Sequence, residues 1–312
     1  YDVGVTGLAL SAVRGAGNTT RGAHAHAQVV ARGLTYLRNV QDAEGCYGAR
    51  TSQHFIYTHA TAANAMVEAF ALTRSPVFRA SAQKALDFIA QARNPYLGWR
   101  YGVRPGDNDT SSTAWMIVVL DRARRVNQAA LAAGRPDPLR VDEAAFRGAL
   151  AWVDKMTDPD LGRVGYIQRG SPPARTADMM DRFPGERSEA MTAAGLLTRI
   201  LAGPDPRKNE SIRSGARLLE ALPPVWRPHE GHTDFIYWHY GTKVAARLGG
   251  RTWDAWKRRI RTALVKSQRI DTEACGFQGS WDPVDPWGPD GGRVYATALN
   301  AMTLEALARA LR

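Results

Sequence analysis

Cysteine is almost absent: two thiols in 312 residues, Cys46 and Cys275, cannot make a disulfide framework. A core of this size does not need a bridge, so both are expected as free thiols. Long apolar runs are missing as well. The best candidate, Ala114 to Leu120, is cut off by Asp121 and Arg122, far short of the roughly 20 residues that span a bilayer. Strand alternation is scarce. These absences exclude a small disulfide-stapled domain, a membrane-spanning chain and a β-sandwich. What is present is an ordinary globular balance, 44% apolar and 23% charged, with a net charge of +11 that comes mainly from arginine. No run of like charge exceeds three residues, so the basicity points to no specific nucleic-acid partner.

Helical periodicity dominates. Trp253, Trp256, Ile260 and Leu264 fall on one stripe, and Lys257, Arg258, Arg261 and Lys266 fall on the opposite face. Ser75-Pro76 and Asp205-Pro206 read as helix starts. Amphipathic helices of this kind are expected near 24–41, 76–92, 142–156, 206–221 and 252–269. Between them come helices poor in charge and rich in Ala, Thr, Gly and Met: Val3–Val13, Ala60–Leu72, Thr113–Leu120, Ala190–Leu201, Ile236–Leu248 and Tyr295–Leu311. A helix apolar nearly all round has to be buried on most sides. The alternation implies an outer amphipathic ring around an inner buried one, in repeats of about 50–60 residues. The chain already reads as helix at Tyr1, and only five outer helices face six inner ones. A single domain over 1–312 that lacks an upstream outer helix is therefore expected, the soluble part of a longer or membrane-anchored protein.

The loops after the outer helices repeat too. Gln41 leads to Gly45-Cys46-Tyr47-Gly48, Gln91 to Gly98-Trp99, and Gln268 to Gly276-Phe277 and Gly279-Ser280-Trp281. A fourth copy, Gly162 to Tyr166, lacks the Gln. A Gln can bond the orphan carbonyls at a helix end, Gly permits a left-handed turn, and the aromatic plugs the corner. This pattern resembles the QW repeat of squalene–hopene cyclases and of the related prenyltransferase β-subunits, over nearly the whole chain. The tail from Gly279 to Leu299 is especially similar to the last repeat of bacterial cyclase-like proteins. The resemblance implies an all-α fold, an α6/α6 toroid.

In such a ring the inner helices start around one mouth of a central cavity, the expected ligand site. The candidate lining residues are His54, Tyr57, Trp115, Glu189, Asp234, Tyr237, Trp238, His239 and Tyr295. Pro105-Gly106-Asp107-Asn108-Asp109-Thr110 resembles the acidic segment with which squalene–hopene cyclases protonate an alkene, making Asp107 and Asp109 the candidate catalytic residues. Asn108 stands where that family has its central acid, and an amide cannot donate that proton. Both aspartates also suit helix capping.

No metal site is expected. Asp271 and Cys275 lack the spacing of the prenyltransferase zinc ligands, and Cys275 is followed by Gly276 rather than the His that lanthionine cyclases require. The segment Asp282 to Gly292 lacks calcium-loop spacing and reads as a plug of Pro and Trp. No cofactor is implied, with Mg²⁺ entering only for a diphosphate substrate. The resemblance implies a terpenoid cyclase-like protein that binds a hydrophobic, isoprenoid-type small molecule or lipid, with peripheral membrane contact. Any catalysis would be that of an isomerase, lyase or prenyl transferase. Two alternatives stand beside it: a non-catalytic interaction or scaffold ring, and a carbohydrate-active α/α-barrel enzyme. The last would use two carboxylates, Asp107 or Asp109 with Glu189 or Asp234.

Overall fold

The computed structural model describes residues 2–15, 17, 26–52, 54–203, 205–206, 209–270 and 276–310. Among them there is no strand, only the isolated bridges Gln41–Tyr47 and Thr157–Val164. The chain divides into two compact units, Tyr1–Trp152 and Val153–Arg312. No helix is long and apolar enough to cross a membrane.

In the first unit the apolar helices α1 (Asp2–Gly15), α3 (Phe55–Thr73) and α5 (Thr110–Ala132) pack in series, α1 on α3 and α3 on α5. Amphipathic α2 (Ala27–Val40) lies on α1, and α4 (Pro76–Ala92) on α3; α6 (Glu143–Met156) runs across the unit boundary. The second unit repeats the arrangement. Helices α7 (Ala190–Ala202), α9 (Phe235–Leu248) and α11 (Gly288–Ala310) form its core. Helices α8 (Glu210–Ala221) and α10 (Gly250–Ser267) flank α7 and α9. The expected alternation is present. Helix α5 begins three residues before the expected start and runs well past its expected end, and α11 carries a left-handed break at Gly292. The expected outer helix at 24–41 begins partly outside the described residues, and Asp271 and Cys275 lie outside them; Cys46 is a free, buried thiol.

The repeated loops hold these helices by two kinds of hydrogen bond. The Trp99 indole N–H donates to the Ile89 carbonyl (2.8 Å) and the Trp281 indole to the Leu264 carbonyl (2.9 Å), each in the last turn of the preceding amphipathic helix. The aromatic residue, rather than the Gln, thus satisfies an orphan helix carbonyl. Gln41 instead clamps its own loop, donating to Gly45 O and Ser81 O. Gln268 likewise donates to Gly279 O. Gly45 has a φ of +95°, and a Cβ there would stand 2.2 Å from the Lys84 carbonyl, so both backbone and space demand glycine.

The second bond recurs four times. A loop N–H donates to a side chain near the start of the next apolar helix: Tyr47 N to His59 Nδ1 (3.1 Å), Trp99 N to Thr113 Oγ1 (3.2 Å), Val164 N to Thr192 Oγ1 (3.3 Å) and Trp281 N to Thr297 Oγ1 (3.3 Å). In the copy without Gln the docking residue is Val164, not the Tyr166 that the sequence pattern suggests. His59 accepts at Nδ1 and therefore donates from Nε2 to the Ala85 carbonyl (3.2 Å), which defines a neutral tautomer.

These docking bonds can be tested one at a time. Thr113→Val keeps the shape but leaves the buried Trp99 N–H unpaired; urea titration should show a loss of roughly 1–3 kcal/mol, whereas an unchanged midpoint would make that bond dispensable. Burial pushes the His59 imidazole down from 6.5 to about 4. The unfolded chain then binds a proton that the folded chain refuses, so stability is lost as pH falls from 6.5 to 4, by about 3 kcal/mol in all. Urea midpoints across that window should fall, and the His59→Asn variant should lose this component.

Candidate active site

The polar groups expected around the helix starts separate into two sets, one in each unit. In the first unit, Asp109 is the N-cap of α5: its carboxylate accepts from the Ser112 N–H (2.6 Å) and the Ser112 hydroxyl (2.9 Å). It is wholly buried, and desolvation pushes it up to about 6 against the pull of the Ser112 bonds. Asn108 is a structural amide whose Oδ1 accepts from the Gly98 N–H (2.9 Å) and the Asn94 amide (3.1 Å). Asp107 is exposed and paired with Arg100 at 2.5 Å. The two candidate acids thus have separate partners and separate environments. At the start of α3, His54, Tyr57 and Tyr101 make a ring cluster, with His54 edge-on to Tyr101 at 6.1 Å. Trp115 is half-buried on α5.

In the second unit three carboxyl groups stand at the helix starts. Glu189, just before α7, accepts both Nε (3.0 Å) and Nη2 (2.7 Å) of Arg163 on one oxygen and the Thr192 hydroxyl (2.6 Å) on the other. Asp234 caps α9 through the Tyr237 N–H (2.9 Å). Its other oxygen receives Arg175 (2.8 Å) and the Ser188 hydroxyl (2.7 Å), and both members of this ion pair are almost fully buried. Asp285 comes from the Pro-Trp segment before α11. Its Oδ2 accepts the Tyr295 hydroxyl (2.9 Å) and the Phe235 N–H (3.3 Å), while its buried Oδ1 has no hydrogen-bond partner among the described residues.

This arrangement dictates the protonation of Asp285. Burial first, and the neighbouring Asp234 charge second, push it up to about 7, although Tyr295, the Phe235 N–H and Arg175 pull the other way. Acid and base roles are divided between neighbouring carboxyl groups by differences in what surrounds them. Here Asp234 is held directly against a guanidinium, and Asp285 meets only a hydroxyl and a backbone N–H. A cleft of about 110 Å³ is lined by Arg163, Ser171, Glu186, Ser188, Glu189 and Thr192 among others, and neither Asp234 nor Asp285 lines it. Ser188 joins the two features, because it lines the cleft and bonds Asp234.

The remaining candidates sit in packing. Tyr237 donates its hydroxyl to the Leu222 carbonyl (2.6 Å), and Trp238 is fully buried against Trp226 and Phe235. His239 is buried and bonded to Thr303 (3.2 Å). Glu189, Asp234 and Tyr295 are the predicted residues that belong with the buried acids. Asp285, Arg175, Ser188 and Arg163 are not among the sequence candidates. The one signal for Asp285 is an aspartate embedded among Pro283, Pro286 and Trp287, where water is scarce. Among the described residues no group of three or more His, Cys, Asp or Glu stands close enough to hold a metal ion.

No family model matches the chain, and no curated protein does. Solved structures do. The alpha-1,6-mannanase of Salegentibacter sp. HEL1_6 is similar at a TM-score of 0.63 and 14% identity, covering 99% of this chain and 90% of that one. An inactive variant of that mannanase, with two adjacent aspartates replaced by asparagines and alpha-1,6-mannotriose bound, is similar at 0.62, 14%, 99% and 90%. The cellobiose 2-epimerase of Bacillus thermoamylovorans B4167 follows at 0.58 and 12% identity, covering 97% of this chain and 86% of that one. These likenesses show the fold class, the all-helical α/α toroid expected from the sequence. They overturn the assignment to the squalene–hopene cyclase and prenyltransferase group, and with it the isoprenoid-ligand function. The physical reason is in the loops: their Gly and Trp satisfy helix ends and dock helix starts, a need of the scaffold that carries no information about substrate. The mannanase's adjacent aspartates have no counterpart as a sequence pair, since this chain contains no Asp-Asp.

Because Asp285 is raised in the folded chain, its linkage is opposite to that of an ordinary carboxylate. The folded state holds the proton more tightly than the unfolded one, so stability is greatest in acid and is lost as pH rises from 3.8 to about 7. Asp285→Asn, a mimic of the protonated form, should therefore gain on the parent by a few kcal/mol between pH 4 and pH 8 in urea titrations. A constant difference across that range would show that Asp285 is not held protonated.

Proposed function

We propose that this chain is a carbohydrate-active enzyme that cleaves a glycosidic bond of a neutral oligosaccharide by acid–base chemistry in its second unit. The observation that carries the reading is Asp285, a carboxyl pushed up to about 7, with one oxygen lacking a partner, beside the Asp234–Arg175 ion pair. Glycoside hydrolysis requires one carboxyl group that gives a proton near neutral pH and a second that acts as base or nucleophile. Asp285 has the raised carboxyl for the first role; it is buried and does not itself line the cleft, to which Ser188 and Asp234 connect it. Of the two carboxylates that line the cleft, Glu186 and Glu189, the second is the one fixed in place, by the Arg163 fork and Thr192. Asp234 is a positioning residue: it caps α9 through the Tyr237 N–H and is held against the buried Arg175 guanidinium and the Ser188 hydroxyl. It raises Asp285 through its charge and ties Ser188 in the cleft wall to the buried pair. The similar solved structures support a carbohydrate-active enzyme, one being an alpha-1,6-mannanase and another a cellobiose 2-epimerase, and only the first of these supports cleavage of a glycosidic bond.

The test is calorimetric binding of alpha-1,6-mannotriose, cellobiose and maltotriose, followed by chromatography of the products. Binding and cleavage of at least one is expected, with Asp285→Asn and Glu189→Gln each lowering kcat by roughly 10²–10⁴-fold. The rate should fall as pH rises through about 7, where Asp285 loses its proton. Failure to bind or cleave any neutral oligosaccharide would remove this function, and full activity in Asp285→Asn would remove the acid.

A further inference from the structure

The outward side of α10 forms one wall of a groove of about 530 Å³, and Pro224, Val225 and Trp226 form the other. Three exposed cations line it, Arg258, Arg259 and Lys266, and no acidic residue does. Their spacing places two rows side by side on the helix, Arg258-Thr262-Lys266 and Arg259-Ala263-Ser267, over about 12 Å of its axis. From Ala255 to Ser267 the helix contains no acid at all. Its one aspartate, Asp254, is paired with Lys257 at 2.5 Å. Elsewhere on the surface exposed arginines do find carboxylates, as in Arg140–Asp87 and Arg227–Glu230. Among the described residues none of the three groove cations makes an ion pair of this kind, Arg258 standing only in the field of Asp254.

Like charges side by side on a helix are mutually repulsive and gain nothing from the fold by themselves. A concave wall opposite them makes the cluster a receptor, because a groove of low-dielectric walls concentrates the field of one sign. We infer that this groove binds an anionic saccharide, a sugar bearing carboxylate or sulfate groups, at a site separate from the cleft at α7. The anionic part rests on the groove alone; the saccharide part rests on the proposed function. The lining supports a sugar in particular. Arginine forks suit carboxylate and sulfate oxygens, the exposed Thr262 hydroxyl suits a ring hydroxyl, and the half-buried Trp226 indole offers an apolar edge. The apolar lining of Pro224 and Ala263 is recessed rather than protruding, which favours a ligand seated in the groove over a flat lipid surface. About 12 Å of one helix also gives only a short track for a nucleic-acid backbone.

The experiment uses the full chain and two probes, a tetragalacturonate and a sulfated heparin tetrasaccharide, titrated calorimetrically. At least one should bind, and more weakly as salt rises. The Arg258→Gln/Arg259→Gln/Lys266→Gln variant should bind it at least about tenfold more weakly. A control that removes three charges from the first unit, Arg32→Gln/Arg38→Gln/Arg147→Gln, should stay within about twofold. No binding of either probe, or an equal loss in the control, would overturn the inference. So would tighter binding of a DNA duplex or of phosphatidylserine vesicles through the same three residues. Neutral oligosaccharide binding should be unchanged in the α10 variant, so a failure with neutral sugars counts against the proposed function and a failure with charged ones against this groove.

Discussion

A hydrogen bond from a loop N–H to a side chain near the start of an apolar helix sets the frame in which every other feature of this protein is placed. It recurs at His59, Thr113, Thr192 and Thr297, in both units. A helix start carries unsatisfied N–H groups, and a loop passing over it brings more. Tying one loop N–H to a fixed side chain sets the height at which each helix begins. The Trp99 and Trp281 indoles do the reciprocal work at the ends of α4 and α10. The carboxyl groups that cap or precede α5 and α7 are therefore delivered to defined positions by backbone accounting before any chemistry enters.

Given those positions, burial and partners divide the carboxyl groups into different roles. Asp109 and Asp234 are both buried N-caps with β-region backbone. Asp109 has only neutral partners at Ser112 and is pushed up by desolvation, whereas Asp234 has the Arg175 guanidinium. Asp285 has neither a helix start nor a cation of its own, and receives the field of Asp234 instead. A buried carboxyl that lacks a direct cation holds its proton, because desolvation penalises the charged form more than a hydroxyl and a backbone N–H can repay.

The repeat loops explain why the sequence resemblance led to the wrong chemistry. Gln41, Gly45, Trp99, Gln268, Gly279 and Trp281 all have structural partners, so the pattern they make reports how helices are tied together. Any protein built of alternating helices needs the same ties. The segment Asp107-Asn108-Asp109 is a parallel case. Its acids suggested proton transfer, yet Asn108 holds the Gly98 N–H, Asp109 caps α5 and Asp107 meets Arg100 at the surface.

The alternation of apolar and amphipathic helices, their approximate limits and the looped corners were legible in the amino-acid order, because periodicity, glycine and proline act over a few residues. The places of Glu189 and Asp234 just before apolar helices were legible as well, since polar residues at the start of such a helix stand out locally. Asp285 was not legible as an acid. Its character comes from Phe235, fifty residues earlier, from the Asp234 charge and from Tyr295 on α11. Only the folded chain brings those groups together, and a pKa depends on what surrounds the proton in space rather than along the chain.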